Sequence, residues 1–263
     1  MNIPDLMYRI RHPRESDDAK AALLLFIAAA ASLGLVAFTD RADMTTATLI
    51  LCGFACFIAG LFLLTFHRGA TISPEIAGLL DPGTRIAFAR VAADLGIDGD
   101  AAILPRGDDD PLQFISSGLS GIPAGEIHTS LCIEEGSVGL SVPPSALPLR
   151  NHLRDEYGLD TSIGVESALS AYSEAIITCL ELADQVQASV EGDDPVIEIT
   201  GFTLFEGCRV VQNESPKCCT MVPCAICGLA GLLLAEATGR PWIYDQITMN
   251  PEDRSVRIVL RSP

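Results

Sequence analysis

Lysine is almost missing from this chain: Lys20 and Lys217 stand against 15 arginines. The acid surplus is correspondingly large, with a formal net charge of −17. From Arg68 onward 12 basic residues face 28 acidic ones, so nearly all the excess sits in the C-terminal part. Such a surface repels phosphate backbones and argues against nucleic acid as a partner. Histidine is scarce too. Of the four, His12 and His67 flank the apolar region, and His128 and His152 have no ligand-spaced neighbour. There is no glycine-rich phosphate loop, no nucleophile elbow and no pair of carboxylates in an acid–base context. Asp108-Asp109-Asp110 lacks calcium-loop spacing and reads as a solvated loop. These absences leave no positive argument for an enzyme.

Charge is also missing from two long runs, Ala21–Phe38 and Thr46–Phe66. A bilayer core takes about 20 helical residues, and only a helix satisfies its own peptide groups at that depth. Residues 21–66 therefore read as a transmembrane helical hairpin in contact with the lipid bilayer. Arg9, Arg11, Arg14 and Lys20 precede it, Arg41 alone lies between the runs, and Arg68 follows. The bias of basic residues places both termini and the C-terminal domain in the cytoplasm of a multi-pass protein of the cell membrane. Cys52, Cys56 and Gly60 share a helix face and are expected to pack against Ala28 and Ser32, or Ala30 and Gly34.

Around that anchor the reading is a tail over 1–20, a juxtamembrane helical connector over 67–98, and a cytoplasmic α+β domain over 99–263. Ser73-Pro74-Glu75 and Asp81-Pro82-Gly83 are helix starts. Four short strands are expected within 101–142, then a helix ending at Gly158. Apolar residues at three- and four-residue steps predict a second helix from Val165 to about Ser189, with Cys179 on its inner face. Val196–Phe202 reads as a strand that pairs with Gly207–Val211, and 212–223 as a polar loop. A helix from about Cys224 to Thr238 and a terminal hairpin, Trp242–Met249 with Ser255–Arg261, close the chain. The fold class is a membrane α-hairpin plus a soluble α+β domain, mostly antiparallel sheet with packed helices.

Nine cysteines are many, and in a reducing cytoplasm they are thiols or metal ligands rather than disulfides. Five cluster: Cys208, Cys218, Cys219, Cys224 and Cys227. Four thiolates at about 2.3 Å would make a structural zinc site, and the same residues could hold an iron–sulfur cluster. The adjacent Cys218 and Cys219 do not repeat the CxxC spacing, so a redox dithiol and plain buried thiols stay open beside the metal reading. A helix N-terminus at Cys224–Cys227 would lower a thiol pKa in any of the functional cases.

The layout resembles uncharacterised archaeal proteins with two N-terminal spans and a cytoplasmic domain of unknown function. Residues 222–260 are similar to the end of vinyl-reductase-like ligand-binding domains. The matching features are Cys224-Ala-Ile-Cys227-Gly228, the helix Leu229–Gly239, Trp242-Ile-Tyr-Asp-Gln and Val256-Arg-Ile-Val-Leu260, although this terminal hairpin lacks that family's cysteines. That resemblance implies small-molecule binding. The leading expectation is a non-catalytic domain binding a small ligand or metal through its cysteine-rich loop–helix junction. The alternatives are a scaffolding subunit of a membrane complex, with a membrane-protein partner or a second copy, and a thiol–disulfide oxidoreductase.

Overall fold

The computed structural model describes residues 17–38, 44–66, 72–107, 109–117, 121–123, 127, 129–134, 137–160 and 163–263. The chain divides into two compact units, Met1–Ile72 and Ser73–Pro263.

The described residues of the first unit are mainly two helices. Helices α1 (Asp17–Phe38) and α2 (Met44–Phe66) pack on each other. Their contact follows a seven-residue step: Ala22 and Ala29 are buried on α1, and Gly53 and Gly60 on α2. A Cβ at Gly53 would lie 2.8 Å from Leu33, and one at Gly60 would lie 3.1 Å from Phe26. The rings of Phe26 and Phe57 meet edge-on at 5.7 Å. Cys52 is exposed and Cys56 half-buried, so glycine supplies the close approach where Cys52 was expected. The outward faces carry Leu24, Ile27, Leu51, Phe54 and Phe62, all exposed and all apolar. Lys20–Phe38 and Met44–Leu63 are each long and apolar enough to cross a membrane. A third stretch, Lys217–Thr238, has the composition but not the surroundings: 89% of it lies buried within the protein. It is also two helices, broken at Val222-Pro223-Cys224, so it is a core element of the second unit.

The second unit begins with α3 (Pro74–Leu79) and α4 (Pro82–Asp94), each opened by proline in its first turn. Strands β1 (Ala101–Arg106), β2 (Asp109–Ser116), β3 (Leu131–Glu134) and β4 (Ser137–Val142) follow, then α5 (Leu147–Tyr157) and α6 (Val165–Glu174). Gly158 stops α5 in the left-handed conformation at φ 66°. A π-helical turn, Ala175–Cys179, extends α6, and the hairpin β5 (Gln185–Glu191) and β6 (Asp194–Thr200) comes next. Helices α7 (Phe205–Glu214), α8 (Lys217–Met221) and α9 (Ala225–Thr238) lead into β7 (Trp242–Asn250) and β8 (Ser255–Arg261). All eight strands form one antiparallel sheet in the order β3-β4-β2-β1-β7-β8-β6-β5.

That sheet is two four-stranded halves joined at β1 and β7, where only Ala102↔Ile243 and Ile103↔Trp242 are in register. Helix α9 packs across the junction, against β1, β2 and β7. It is apolar around its circumference, and Leu229, Leu232 and Leu233 are all buried. Gly231 allows the approach, since a Cβ there would stand 2.4 Å from the Tyr244 hydroxyl.

Three expectations fail locally. The helix from Val165 ends at Cys179, and after a short connection Gln185–Ser189 belong to β5. Val186 and Ala188 alternate with exposed neighbours, a two-residue period, and Glu181 turns the chain at φ 52°. Gly207–Val211 is helix, not strand, because Phe205, Cys208 and Val211 bury one face at three-residue steps. Residues 212–223 are not a polar loop: α8 occupies part of them and buries Cys218, Cys219, Thr220 and Met221. The Asp109–Asp110 pair opens β2, and Asp110 binds Arg150 at 2.6 Å; Asp108 and His128 lie outside the described residues.

A buried thiol site at the start of helix α9

The five clustered cysteines lie on three consecutive helices and the residue before the last of them. Cys208 is on α7, Cys218 and Cys219 are on α8, Cys224 is the N-cap of α9, and Cys227 lies in its first turn. All are buried except Cys224, which keeps partial exposure. Cys224 occupies the N-cap in an extended conformation, φ −68° and ψ 168°, where serine or aspartate is usual. Its sulfur accepts the Cys227 backbone N–H at 3.4 Å.

Four side chains, three from regular elements and one from the turn before α5, pin the turn that carries these sulfurs. Arg85 of α4 donates its Nε–H to the Val222 carbonyl at 2.8 Å. The Ser145 hydroxyl, just before α5, donates to the Pro223 carbonyl at 2.8 Å. The Tyr172 hydroxyl of α6 donates to the Ile226 carbonyl at 3.3 Å. The Tyr244 hydroxyl of β7 reaches the carbonyls of Gly228 at 2.9 Å and Cys227 at 3.3 Å. Burial raises the pKa of both tyrosines, which keeps them protonated as donors. A turn held from four sides presents its sulfurs in one geometry.

The electrostatics single out Cys224. Hydrogen bonds from the thiols of Cys208 and Cys227 hold its pKa well below the usual thiol range, against the effect of burial, and Arg85 adds to them. The donors shift the other way: hydrogen bonding to Cys224 and then burial push Cys208 and Cys227 well up. Burial raises Cys218 and Cys219, opposed by Arg85, which also hydrogen-bonds Cys219. Burial alone would lower the pKa of Arg85, but the surrounding sulfurs, Cys224 first, raise it instead. Asp81 is its second anionic neighbour, at 3.7 Å. The shifts thus favour the thiolate at Cys224 over the other four sulfurs, beside one enclosed guanidinium.

Among the described residues no group of three or more His, Cys, Asp or Glu is placed to hold a metal ion. Cys208 and Cys227 are the thiols that act on Cys224, and Arg85 acts on Cys218 and Cys219. His152 is exposed on α5, edge-on to Tyr157 at 6.1 Å. Sequence reasoning missed Arg85, Ser145, Tyr172 and Tyr244. Only the placing of CxxC at a helix start gave a signal for the site. No family model, curated protein or solved structure matches the chain.

Proposed function

We propose that this chain is a bilayer-anchored thiol protein in which Cys224 and Cys227 act as a redox dithiol. Helices α1 and α2 cross the membrane, with both termini and the second unit on the cytoplasmic side. The observation that carries the redox reading is the pairing of a part-exposed N-cap cysteine with a buried cysteine one turn inside the same helix. A lowered pKa makes the first cysteine the attacking group, and its raised partner remains protonated until it resolves the product. The Cys224 thiolate attacks a disulfide of a small molecule or partner protein and expels one thiolate. Cys227 loses its proton to that thiolate and attacks the Cys224 sulfur. The external disulfide leaves as one thiol and one thiolate, the latter taking its proton from water, and Cys224–Cys227 becomes the disulfide. The weak likeness of residues 222–260 to ligand-binding domains suits a small thiol or disulfide as the reactant.

The full chain in detergent, equilibrated across glutathione buffers and trapped with a maleimide, tests this. A single two-electron transition is expected, lost in C224S and in C227S and retained in C218S. Free thiols at both positions under oxidised glutathione would overturn it. Stoichiometric zinc or iron that is lost in C224S would overturn it in favour of the metal reading.

A further inference from the structure

Helix α3 is inside out for an element of a soluble domain. Its small residue Gly78 faces inward, against α7: a Cβ there would meet the Leu204 carbonyl at 3.2 Å. In return, a Cβ on Gly207 would fall 2.1 Å from the Gly78 carbonyl. Its large apolar residues point the other way. Ile76, Leu79 and Leu80 are 57%, 51% and 70% exposed, and at i, i+3 and i+4 they share one face. Ile72, just before the helix, is exposed as well. Three adjacent large apolar side chains turned outward mark a contact surface.

The chain itself says what covers it. Pro74 lies eight residues beyond Phe66, the last residue of α2, so even a fully extended link holds the start of α3 within about 28 Å of that point. We infer that α3 lies in the membrane interface, with Ile76, Leu79 and Leu80 among the outer ends of the lipid chains. This rests on α1 and α2 being membrane-embedded. Surface helices normally add basic residues to such a face. Here Asp81 follows directly, and the unit is strongly acidic. The contact is therefore apolar, takes zwitterionic lipid, and is insensitive to salt. Helix α3 packs on α7, which carries Cys208, and is followed at once by α4, which carries Arg85, so the membrane-seated helix adjoins both elements of the thiol site.

Tryptophan quenching separates the two ideas. Trp242 is the only native tryptophan and is buried, so it supplies a steady background. Full-length F54W, L79W and L80W proteins go into phosphatidylcholine vesicles whose acyl chains are brominated either near the headgroup or near the chain end. Phe54 lies at the middle of its span, so the F54W emission should be quenched by the deep bromines. The L79W and L80W emission should fall roughly twofold with the shallow bromines, equally at low and high salt. Quenching of F54W without quenching of L79W or L80W overturns the inference and leaves the hairpin standing; a second copy covering this face would give that result. No quenching of F54W removes the hairpin and the inference together. All three positions are exposed, so folding is retained, and matching melting curves verify it.

Discussion

For the proposed redox pair, Arg85 is the residue that sets the charge around Cys224. Enclosed beside five sulfurs, it offsets the charge of the Cys224 thiolate and holds the Val222 carbonyl at 2.8 Å. Stabilising a thiolate stabilises the reduced dithiol, which makes the disulfide more oxidising. Arg85→Gln keeps a hydrogen-bond donor and removes the charge. Its Cys224 pKa should rise, and the potential of the pair should fall by on the order of 30 mV, which is tenfold in the exchange constant. Redox titration of both proteins measures it, and an unchanged potential would show that the thiols of Cys208 and Cys227 suffice. Nothing in the local sequence tied Arg85 to Cys224. The two meet through packing between α4 and α8, which a linear pattern of charges does not encode. The CxxC motif and its helix start were legible, because a stop at Gly239 and an unbroken apolar run are local signals. The four donors that clamp the turn were not.

At the scale of elements, the α3–α7 contact depends on two glycines back to back. Gly207→Ala would drive a methyl into the Gly78 carbonyl, backbone against side chain, with no flexible atom to yield. Such overpacking costs about 1–3 kcal/mol, or roughly 2–4 °C in melting temperature per kcal/mol for a unit of this size. Gly83→Ala is the matched control. It lies within α4, meets nothing within 4 Å, and should be neutral or stabilising by up to about 1 kcal/mol. Thermal melts of the pair check both, and equal losses would refute the packing argument. Elements bounded by glycine and proline were read well: the helix ending at Gly158, α9 ending at Gly239, and the terminal hairpin. The misreadings fall where two periods coexist. Val186 fits both a helical step from Ala183 and a strand alternation with Ala188, and only pairing with β6 chooses between them. The β1–β7 junction brings together strands from opposite ends of the unit and leaves no trace in either stretch.

For the whole molecule, the lowered pKa of Cys224 couples stability to pH. The folded pKa of Cys224 is depressed, so the unfolded chain binds more protons between that value and the ordinary thiol value of about 8.5. Its contribution is absent below the lowered pKa, rises through that window by up to about 1.4 kcal/mol per pH unit, and is complete above it. The stability gap between the native and C224S chains should therefore widen with pH up to about 8.5. Denaturant titrations in mild detergent under reducing conditions, followed by Trp242 emission, report it; a gap independent of pH would mean that Cys224 is buried as a thiol. Sheet order has a consequence in time as well as in space. Strands β7 and β8, which lie between β1 and β6 in the sheet, leave the ribosome after the other six strands. Until they emerge, β1 and β6 each wait with an open edge. Synthesis thus passes through an incomplete, edge-exposed domain, and a stop codon between Thr238 and Trp242 would leave its central seam permanently unzipped.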